Sequence, residues 1–387
     1  MIRPLVCSLL LLGFVSPLVA QDEAPITQHR RWVTSLAFSN DGKQLYTTGG
    51  ESLPFRPGDV KIWEVDSGKL AASLEGAPSS VWSIAVTSDN ATAITSGYDG
   101  KVLVWNLAEK KPRATLDKHK AWVRSVALSP DNANFATGGE DGTIVIWTTA
   151  DAKQVKEFKA HDAAVYDMAF SPDGNRLATA STDKTAKLWD WKAEKPAEVA
   201  KFAGHATKVE GAPMPTPEAV WSVAFNPAGN QVASSGADGK IRIWDDKGAE
   251  QAVLEGHKDW VGAVAWSKEN VIASASHDKT IRLWNPADKK ELHSFPAKST
   301  CWGVAFSADG KLLAAGSHKE GVRIFDVASK AEKFPAKAEP AKPEEKKPEE
   351  KKPEEKKPEE KKPEEKKPEE KKPEEKKPEE KKPEEKK

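Results

Sequence analysis

Cysteine is scarce in this chain, and its scarcity limits how the fold is held together. The 387 residues include two cysteines, Cys7 and Cys301. We expect Cys7 to be removed with an N-terminal leader, and the single remaining cysteine excludes an internal disulfide framework. Cys301 lies in an apolar stretch, where we expect a small buried hydrophobic side chain. Helical periodicity of any length is also missing from the sequence, which argues against a helical fold.

The motifs of the common enzyme classes are missing as well. The sequence contains no glycine-rich phosphate loop, zinc-type His-Glu pair, nucleophile elbow or haem-attachment motif. The histidines His277, His293 and His318 do not share a metal-binding spacing. His277 and His318 occupy equivalent repeat positions, so a metal there is one interpretation, and solvated loop residues are the favoured one. We therefore predict that the protein is not an enzyme and has no cofactor or metal.

The chain also lacks an excess of charge of one sign. It has 59 basic and 59 acidic residues, of which the stretch from Lys342 to Lys387 holds 19 Lys and 18 Glu. The remainder keeps 40 basic and 41 acidic residues (59−19 and 59−18). Neither part has the basic excess that a nucleic-acid partner requires, so no nucleic-acid partner is predicted.

One long apolar run stands at the N-terminus. It extends from Leu5 to Ala20, after Arg3, and precedes the polar residues Gln21 and Asp22. This pattern predicts a secretory signal peptide over residues 1–20. The alternative is an uncleaved membrane anchor, although the run is shorter than the ~20 residues of a spanning helix. We expect an exported bacterial protein of the periplasm or cell envelope, or a secreted one, without stable membrane insertion after cleavage.

An aromatic residue ends a strand-like run seven times along the chain. The steps between these residues are 42, 42, 42, 55, 40 and 41 positions. A constant period of this length indicates a repeat architecture, in which each unit buries its apolar face against its neighbours. Short strands separated by Asp-Gly and Pro-Asp turns predict an all-β fold. The seven residues are Trp63, Trp105, Trp147, Trp189, Trp244, Trp284 and Phe325.

These repeats resemble the WD40-repeat β-propeller family. Gly204-His205 and Gly256-His257 match its Gly-His pair, and Trp189-Asp190 and Trp244-Asp245 match its Trp-Asp pair. The resemblance implies a seven-bladed propeller of four-stranded antiparallel blades over residues 24–336. Either residues 26–29 or residues 330–334 could supply the last outer strand, and we favour the N-terminal segment.

The resemblance also implies a hydrogen-bonded set of His, Ser or Thr, Asp and Trp inside a blade. A hydrolytic triad uses similar residue types, but repetition around a ring with a buried Trp favours a structural role. Blade 1 keeps His29, Thr48 and Trp63, blade 2 has Ala77 in place of His, and blade 7 keeps none, so we expect these three blades to be weaker. The four complete sets are His119, Thr137, Asp141, Trp147; His161, Thr179, Asp183, Trp189; His205, Ser234, Asp238, Trp244; and His257, Ser274, Asp278, Trp284.

The residues that differ between repeats point to one face of the ring. We call this the top face; by resemblance, the first strand of each blade begins there with a bulge that re-aims its side chain. The bulge positions hold Thr34, Trp82, Arg124, Tyr166, Trp221, Gly262 and Trp302. Two residues earlier stand Trp32, Trp122 and Trp260, for which packing between blades is an equal alternative. Insertions at residues 52–58 and 207–218 are expected on the same face. The predicted partner-binding residues are Trp82, Tyr98, Arg124, Tyr166, Trp221 and Trp302.

Residues 337–387 contain nine copies of Lys-Pro-Glu-Glu-Lys, beginning at Lys342. The segment has no residue for a core and is predicted to be disordered. We therefore predict a non-enzymatic scaffold, monomeric alone, that binds a protein or peptide on the top face. Two alternatives remain open: a propeller hydrolase or lactonase with a metal in the channel, and an envelope structural element that acts mainly through the charged tail.

Overall fold

The computed structural model describes residues 32–50, 56–205, 219–318 and 320–334. The described residues form twenty-eight strands in seven four-stranded sheets, which we number as blades 1 to 7. The first three blades contain β1 (Trp32–Phe38), β2 (Gln44–Gly50), β3 (Asp59–Glu64) and β4 (Leu70–Ser73); β5 (Val81–Val86), β6 (Thr92–Gly97), β7 (Val102–Asn106) and β8 (Lys111–Leu116); and β9 (Val123–Leu128), β10 (Asn134–Gly139), β11 (Thr143–Thr148) and β12 (Gln154–Lys159).

The other four blades follow the same order. They contain β13 (Val165–Phe170), β14 (Leu177–Ser181), β15 (Ala186–Asp190) and β16 (Ala197–Phe202); β17 (Val220–Phe225), β18 (Gln231–Gly236), β19 (Ile241–Asp245) and β20 (Glu250–Leu254); β21 (Val261–Trp266), β22 (Ile272–Ser276), β23 (Thr280–Asn285) and β24 (Lys290–Pro296); and β25 (Cys301–Phe306), β26 (Leu312–Ser317), β27 (Val322–Asp326) and β28 (Glu332–Phe334).

Every blade is an antiparallel meander of four consecutive strands. This confirms the predicted seven-bladed all-β propeller. The fourth strand of blade 7 is β28, which pairs with β27 through Ile324↔Phe334 and Phe325↔Glu332. The preference for residues 26–29 as this strand was therefore wrong, because the C-terminal segment is already hydrogen-bonded at that edge. Residues 26–29 lie outside the described residues.

The turns opposite the top face show why the strands reverse where they do. Ser39 begins one such turn, and its hydroxyl donates a 2.6 Å hydrogen bond to Asp41. The same oxygen accepts one of 2.8 Å from the backbone N–H of Gln44. Gly42 has a φ of 70°, a left-handed conformation that glycine adopts without a steric penalty. The Ser-x-Asp-Gly sequence thus fixes the reversal by its own hydrogen bonds.

The hydrophobic core is divided among the interfaces between neighbouring blades. Seven clusters of buried side chains lie there. One of them closes the ring, because Val33, Leu36 and Trp63 of blade 1 pack against Val322 and Ile324 of blade 7. Each blade therefore buries both faces only when it stands between two others, as expected for stacked repeats.

The single cysteine of the described residues behaves as predicted. Cys301 is fully buried and makes no disulfide. Burial raises the pKa of its thiol to about 12. Among the described segments we find no helix with the length and apolar character needed to cross a bilayer.

Candidate functional site

Three blades contain the full four-residue network expected from the resemblance. In blade 4, Trp189 Nε1 donates to Thr179 Oγ1 at 3.1 Å, and His161 Nε2 lies 2.6 Å from the same oxygen. The other imidazole nitrogen lies 2.8 Å from Asp183 Oδ2. Blades 5 and 6 repeat this network with distances of 2.7 to 2.9 Å. Their residues are His205, Ser234, Asp238 and Trp244, and His257, Ser274, Asp278 and Trp284.

The network of blade 3 is incomplete. Trp147 Nε1 donates to Thr137 Oγ1 at 2.9 Å, and His119 Nε2 lies 2.8 Å from that oxygen. His119 Nδ1 is buried without a partner among the described residues. Asp141 Oδ1 instead accepts from the backbone N–H of Thr143 at 2.9 Å. The expected bond between His119 and Asp141 is therefore not formed, and Asp141 caps its own turn.

In blade 1 the structure corrects the identity of the hydroxyl. Trp63 Nε1 donates to Thr47 Oγ1 at 2.8 Å, and not to Thr48 as expected from the sequence. Adjacent residues of a strand point to opposite faces, and Leu45, two positions before Thr47, pairs with Trp63. Thr47 therefore shares the face of Trp63, whereas Thr48 Oγ1 lies 3.2 Å from Thr34 Oγ1. His29 lies outside the described residues.

Blades 2 and 7 use simpler arrangements. Trp105 Nε1 donates to Thr95 Oγ1 at 2.8 Å, without a histidine. In blade 7 the buried ring of Phe325 stacks on Phe295 with centroids 4.1 Å apart. The polar network thus becomes smaller in blade 2 and is replaced by an aromatic pair in blade 7.

Burial shows what these networks do chemically. The hub oxygens belong to Thr179, Ser234 and Ser274, which are 0% exposed. Burial lowers the pKa of His161 and His257, although their carboxylate partners act in the opposite direction. A hydroxyl that already accepts from an indole N–H and is shut away from solvent is not available as a nucleophile. The networks therefore hold the blades together.

The structure confirms the bulge in the first strand of every blade. Each first strand loses register with the second strand at one residue near its start. Because a bulge leaves its extra residue unpaired, that side chain is re-aimed relative to its neighbours. The skipped residues are Thr34, Trp82, Arg124, Tyr166, Trp221, Gly262 and Trp302, as predicted.

Aromatic rings form a connected arc on the top face, which we call the aromatic arc. Trp82 stacks on Tyr98 at 5.1 Å between centroids, and Tyr98 contacts Trp122 at 4.2 Å. Further along, Tyr166 meets Trp221 edge-on at 4.6 Å. The arc continues through Trp221–Trp260 at 5.7 Å, Trp260–His277 at 5.0 Å, His277–Trp302 at 4.4 Å and Trp302–Trp32 at 5.5 Å.

Arg124 joins the two parts of the arc. Its guanidinium carbon lies 4.2 Å from the ring centroid of Trp82, 4.8 Å from that of Trp122 and 4.9 Å from that of Tyr166. Nη2 donates a 2.9 Å hydrogen bond to Glu140 Oε1. Cation–π attraction to several rings explains why a charged side chain that is only 8% exposed remains in this position.

All six predicted partner-binding residues belong to this arrangement. The five aromatic residues among them are half-buried, and so are Trp32, Trp122 and Trp260. The expected distinction between an exposed set and an interblade set is therefore not found, because the rings of both sets pack on one another. Glu140 and His277 also contact this cluster. Both precede the turn between the second and third strands, as Tyr98 does, and the sequence places all three on the top face.

The aromatic arc surrounds one end of a central cavity of about 470 Å³. Trp82, Arg124, Tyr166, Trp221 and Trp302 line this cavity. Its wall also carries Asp167, a residue that sequence reasoning missed. The sequence signal was available, since the equivalent residues of four other blades are serines (Ser35, Ser83, Ser125 and Ser222).

Asp167 is a half-buried residue whose carboxyl group bridges two blades by hydrogen bonds. Oδ2 accepts hydrogen bonds from Ser222 Oγ at 2.6 Å and from the backbone N–H of Val223 at 3.1 Å. Burial raises the pKa of this carboxyl to about 6, although the hydrogen bonds oppose the shift. The carboxyl is thus turned toward the neighbouring blade.

Two further predictions for the top face concern the insertions and a metal site. Most of the first insertion and all of the second, residues 51–55 and 206–218, lie outside the described residues. Within the ranges that the structure describes, there is no group of three or more His, Cys, Asp or Glu residues placed to hold a metal ion. His277 and His318 each pack against tryptophan rings, at 4.4 Å from Trp302 and 5.1 Å from Trp32.

Comparison with known families agrees with this geometry. A family model described as "WD domain, G-beta repeat" matches seven segments that together cover more than half of the chain. The chain belongs to the WD40-repeat family. The segments are residues 22–64, 68–106, 110–148, 152–190, 198–245, 248–285 and 289–326. Each contains near its end one of the seven aromatic residues from Trp63 to Phe325 that recur along the sequence, which we call the aromatic ladder.

Individual WD40 relatives resemble only part of the chain. "Protein transport protein SEC13" of Phaeosphaeria nodorum is 34% identical over 130 residues, 30% of this chain and 43% of the relative. The protein of the same name from Neurospora crassa is 36% identical over 145 residues, 32% of this chain and 46% of the relative. "THO complex subunit 3" of Arabidopsis thaliana is 28% identical over 134 residues, 33% of this chain and 39% of the relative. The chain thus spans less than half the length of these curated relatives.

Proposed function

We propose that this WD40 protein is a non-enzymatic scaffold that binds a protein or peptide partner on its top face. The aromatic arc carries the proposal, because Trp, Tyr and Arg are the residue types that dominate binding energy at protein interfaces. Half-buried rings of Trp82, Tyr166, Trp221 and Trp302 line the cavity, Tyr98 stacks on Trp82, and Arg124 supplies a charge among them. The names of the relatives, which include a subunit of a complex, are consistent with a scaffold role.

The opposite face supports the choice of the top face. Its turns use their polar side chains for their own backbone, as Ser307 does when it donates to Asp309 at 2.6 Å and accepts from Leu312 N at 3.0 Å. Such groups are already satisfied. On the top face, by contrast, the indole Nε1 atoms of Trp82, Trp221 and Trp302 have no partner among the described residues.

Paired tryptophan variants test this proposal. Trp221→Ala and Trp302→Ala remove rings of the aromatic arc, and Trp266→Ala serves as the matched control. Trp266 is the last residue of β21 and lines the end of the cavity opposite the aromatic arc, where its Nε1 donates to Asn270 Oδ1 at 2.9 Å. We expect partners captured by the wild-type protein and by Trp266→Ala to be lost with the two arc variants. Equal recovery with all four proteins contradicts the proposal, provided that thermal unfolding shows the variants to be folded.

We also propose that residues 1–20 direct export of the chain. The support is the sequence pattern of Arg3, the apolar run that follows and the polar residues after Ala20. N-terminal sequencing of the protein from fractionated cells tests this. An N-terminus at Gln21 outside the cytoplasm is the expected result, and an intact Met1 in the soluble cytoplasmic fraction contradicts it.

A further inference from the structure

One position at the mouth of the cavity has no side chain. The bulge residue of blade 6 is Gly262, and those of blades 5 and 7, on either side of it, are Trp221 and Trp302. The nearest atoms that a Cβ at Gly262 would meet are backbone oxygens, at 3.7 to 4.0 Å. The circle of bulge side chains is therefore interrupted at this point. We call the space bordered by Trp221, Trp260, His277 and Trp302 the Gly262 gap.

Aromatic rings form the wall of the Gly262 gap. Trp221, His277 and Trp302 line the cavity together with Gly262. Trp260 lies between Trp221 and His277, with ring centroids 5.7 Å and 5.0 Å from theirs. His277 in turn contacts Trp302 at 4.4 Å. An apolar group that enters the gap therefore packs against rings of three successive blades.

These rings carry hydrogen-bond donors without acceptors. The Nε1 atoms of Trp221, Trp260 and Trp302 are buried and have no acceptor among the described residues. His277 Nε2 is likewise buried without a partner in the described part of the chain. An indole N–H can only donate, and a buried donor without an acceptor costs free energy. Because an incoming acceptor displaces no existing hydrogen bond of the indoles, a ligand that brings acceptors is stabilised here.

The side chains that border the gap are uncharged. Burial lowers the pKa of His277, although two nearby carboxylates act in the opposite direction, so its ring is neutral at neutral pH. Elsewhere on the cavity wall, Arg124 is paired with Glu140 at 2.9 Å, and Asp167 adds a second carboxyl. An anion would find no unpaired positive charge, and a cation would find donors in place of acceptors. The gap therefore favours an uncharged occupant.

The excess of donors also distinguishes between uncharged ligands. A sugar hydroxyl donates as well as accepts, and an ordinary peptide unit has an N–H that would be buried without an acceptor. Proline has a backbone carbonyl and no N–H. Segments rich in proline adopt the extended polyproline II conformation before they bind, and they dock on aromatic-lined surfaces. Proline thus brings acceptors and an apolar ring without a further donor.

We propose that the partner on the top face is an extended peptide segment that contains proline. A prolyl ring enters the Gly262 gap between Trp221 and Trp302, and carbonyls of the segment accept hydrogen bonds from the indoles of Trp221, Trp260 and Trp302. The proposal rests on the function proposed above and specifies its partner. Gly262 provides the space for the prolyl ring, and the three indoles hold the peptide carbonyls.

A phage-displayed library of random linear peptides, panned against the full chain, tests this inference. In the selected peptides each proline is replaced in turn by alanine, which restores the N–H, and by N-methylalanine, which does not. Binding is measured by calorimetry with the wild-type protein and three variants. Gly262→Leu fills the gap and keeps every indole, and Trp302→Phe keeps a ring and removes the N–H. Trp266→Phe removes an indole N–H at the opposite end of the cavity and is the matched control.

The expected result is a requirement for proline and for the open gap. Proline is enriched among the selected peptides, and replacing one particular proline by alanine weakens binding by about tenfold or more. N-methylalanine at that position recovers most of the loss, because the N–H is again absent. Gly262→Leu abolishes binding, Trp302→Phe weakens it by about three- to tenfold, and Trp266→Phe leaves it unchanged.

Several outcomes overturn the inference. They are a selection without enrichment of proline, equal binding of the proline and alanine peptides, N-methylalanine peptides as weak as alanine peptides, unchanged binding to a folded Gly262→Leu, and failure to select any peptide. Tighter binding of the neutral sugar maltohexaose, titrated in parallel, also overturns it. If thermal unfolding shows that Gly262→Leu does not fold, Trp302→Phe and the peptide replacements decide.

The same measurements separate this inference from the proposed function. If selected peptides lack proline but still need Trp221 and Trp302, the proposed function stands and only the proline-containing partner is wrong. If their binding does not change in Trp221→Ala and Trp302→Ala, the top face itself is wrong.

Discussion

The hydroxyl of Ser222 on β17 donates a 2.6 Å hydrogen bond to the carboxyl of Asp167 on β13. Asp167 stands where four other blades have serine, and in three of them the hydroxyl accepts a hydrogen bond from the backbone of the next blade. The serine distances are 3.4 Å for Ile84 N to Ser35, 3.2 Å for Val126 N to Ser83 and 3.1 Å for Val264 N to Ser222. Between blades 4 and 5 a titratable group performs this role.

Asp167 is expected to make stability depend on pH. Burial raises the pKa of its carboxyl to about 6 in the folded protein, compared with about 3.9 in an unfolded chain. Between these values the folded state holds more protons, so stability is fully present below about pH 4 and falls as the pH rises through 6. In the wild-type protein this effect should lower the free energy of unfolding by about 3 kcal/mol between pH 4 and pH 8, and Asp167→Asn should abolish it. Urea unfolding across this range measures it.

Asp309→Asn is the control for that experiment. Hydrogen bonds from Ser307 and from Lys311 N hold the pKa of Asp309 below its ordinary value, which is the opposite direction from Asp167. Its replacement should therefore leave the fall in stability between pH 4 and pH 8 in place. A wild-type pH profile parallel to that of Asp167→Asn would contradict the assignment of Asp167.

The hub hydroxyl of blade 4 should stabilise the protein more than that of blade 2. Thr179 Oγ1 bonds both Trp189 and His161, whereas Thr95 Oγ1 bonds Trp105 alone. Thr179→Val leaves two buried polar groups unsatisfied and should lower the free energy of unfolding by about 2–4 kcal/mol. Thr95→Val leaves one and should cost about half as much. Equal losses in chemical denaturation would show that the histidine adds nothing to the network.

Two glycines of the inner strands should respond in opposite ways to alanine. A Cβ at Gly262 would meet no atom closer than Cys301 O at 3.7 Å. At Gly138 it would lie 2.6 Å from Ser125 Oγ and 2.8 Å from Val165 Cγ1. Gly262→Ala should leave the free energy of unfolding unchanged or raise it by up to about 1 kcal/mol. Gly138→Ala should lower it by about 1–3 kcal/mol. Thermal unfolding compares the two, and a destabilised Gly262→Ala would contradict the open space at the bulge.

Cys301 should be unreactive while the ring is closed. The reactive species is the thiolate, and burial raises the pKa of this thiol to about 12. In a Cys7→Ser variant, Cys301 is the only thiol of the chain. Modification by a thiol reagent at neutral pH should therefore be slow and should rise sharply in denaturant. Rapid labelling of the native protein would show that blades 6 and 7 separate readily.

The sequence could predict those features that recur at the same position in every repeat. The aromatic ladder is visible because each unit repeats the same spacing. The bulge at Trp82, Arg124 and Tyr166 was expected from the resemblance to the WD40 family. Repeat spacing does not show which of two similar neighbouring residues forms a given hydrogen bond. Thr47 and Thr48 differ only in which face of β2 they occupy, and the register that decides between them requires the pairing of Leu45 with Trp63.

Contacts between repeats were less accessible to sequence reasoning. Arg124 was recognised as an interface residue type, but its position among the rings of Trp82, Trp122 and Tyr166 depends on three neighbouring blades. His119 has the residue type and spacing of a complete network, and still its Nδ1 has no partner among the described residues. Side-chain orientation inside a repeat and packing across repeats are set by the assembled ring.

The order of the strands in blade 7 has a consequence for how the ring comes apart. Its four strands, β25 to β28, are consecutive in the chain, so no described loop joins blade 7 to blade 1. These two blades meet through side chains such as Val322 and Val33. A closed ring opens when one interface between blades separates, and the other blades can then unfold from the free end. We expect the interface between blades 7 and 1 to separate first, and proteolysis at low denaturant should first cut the chain near β1 or β28.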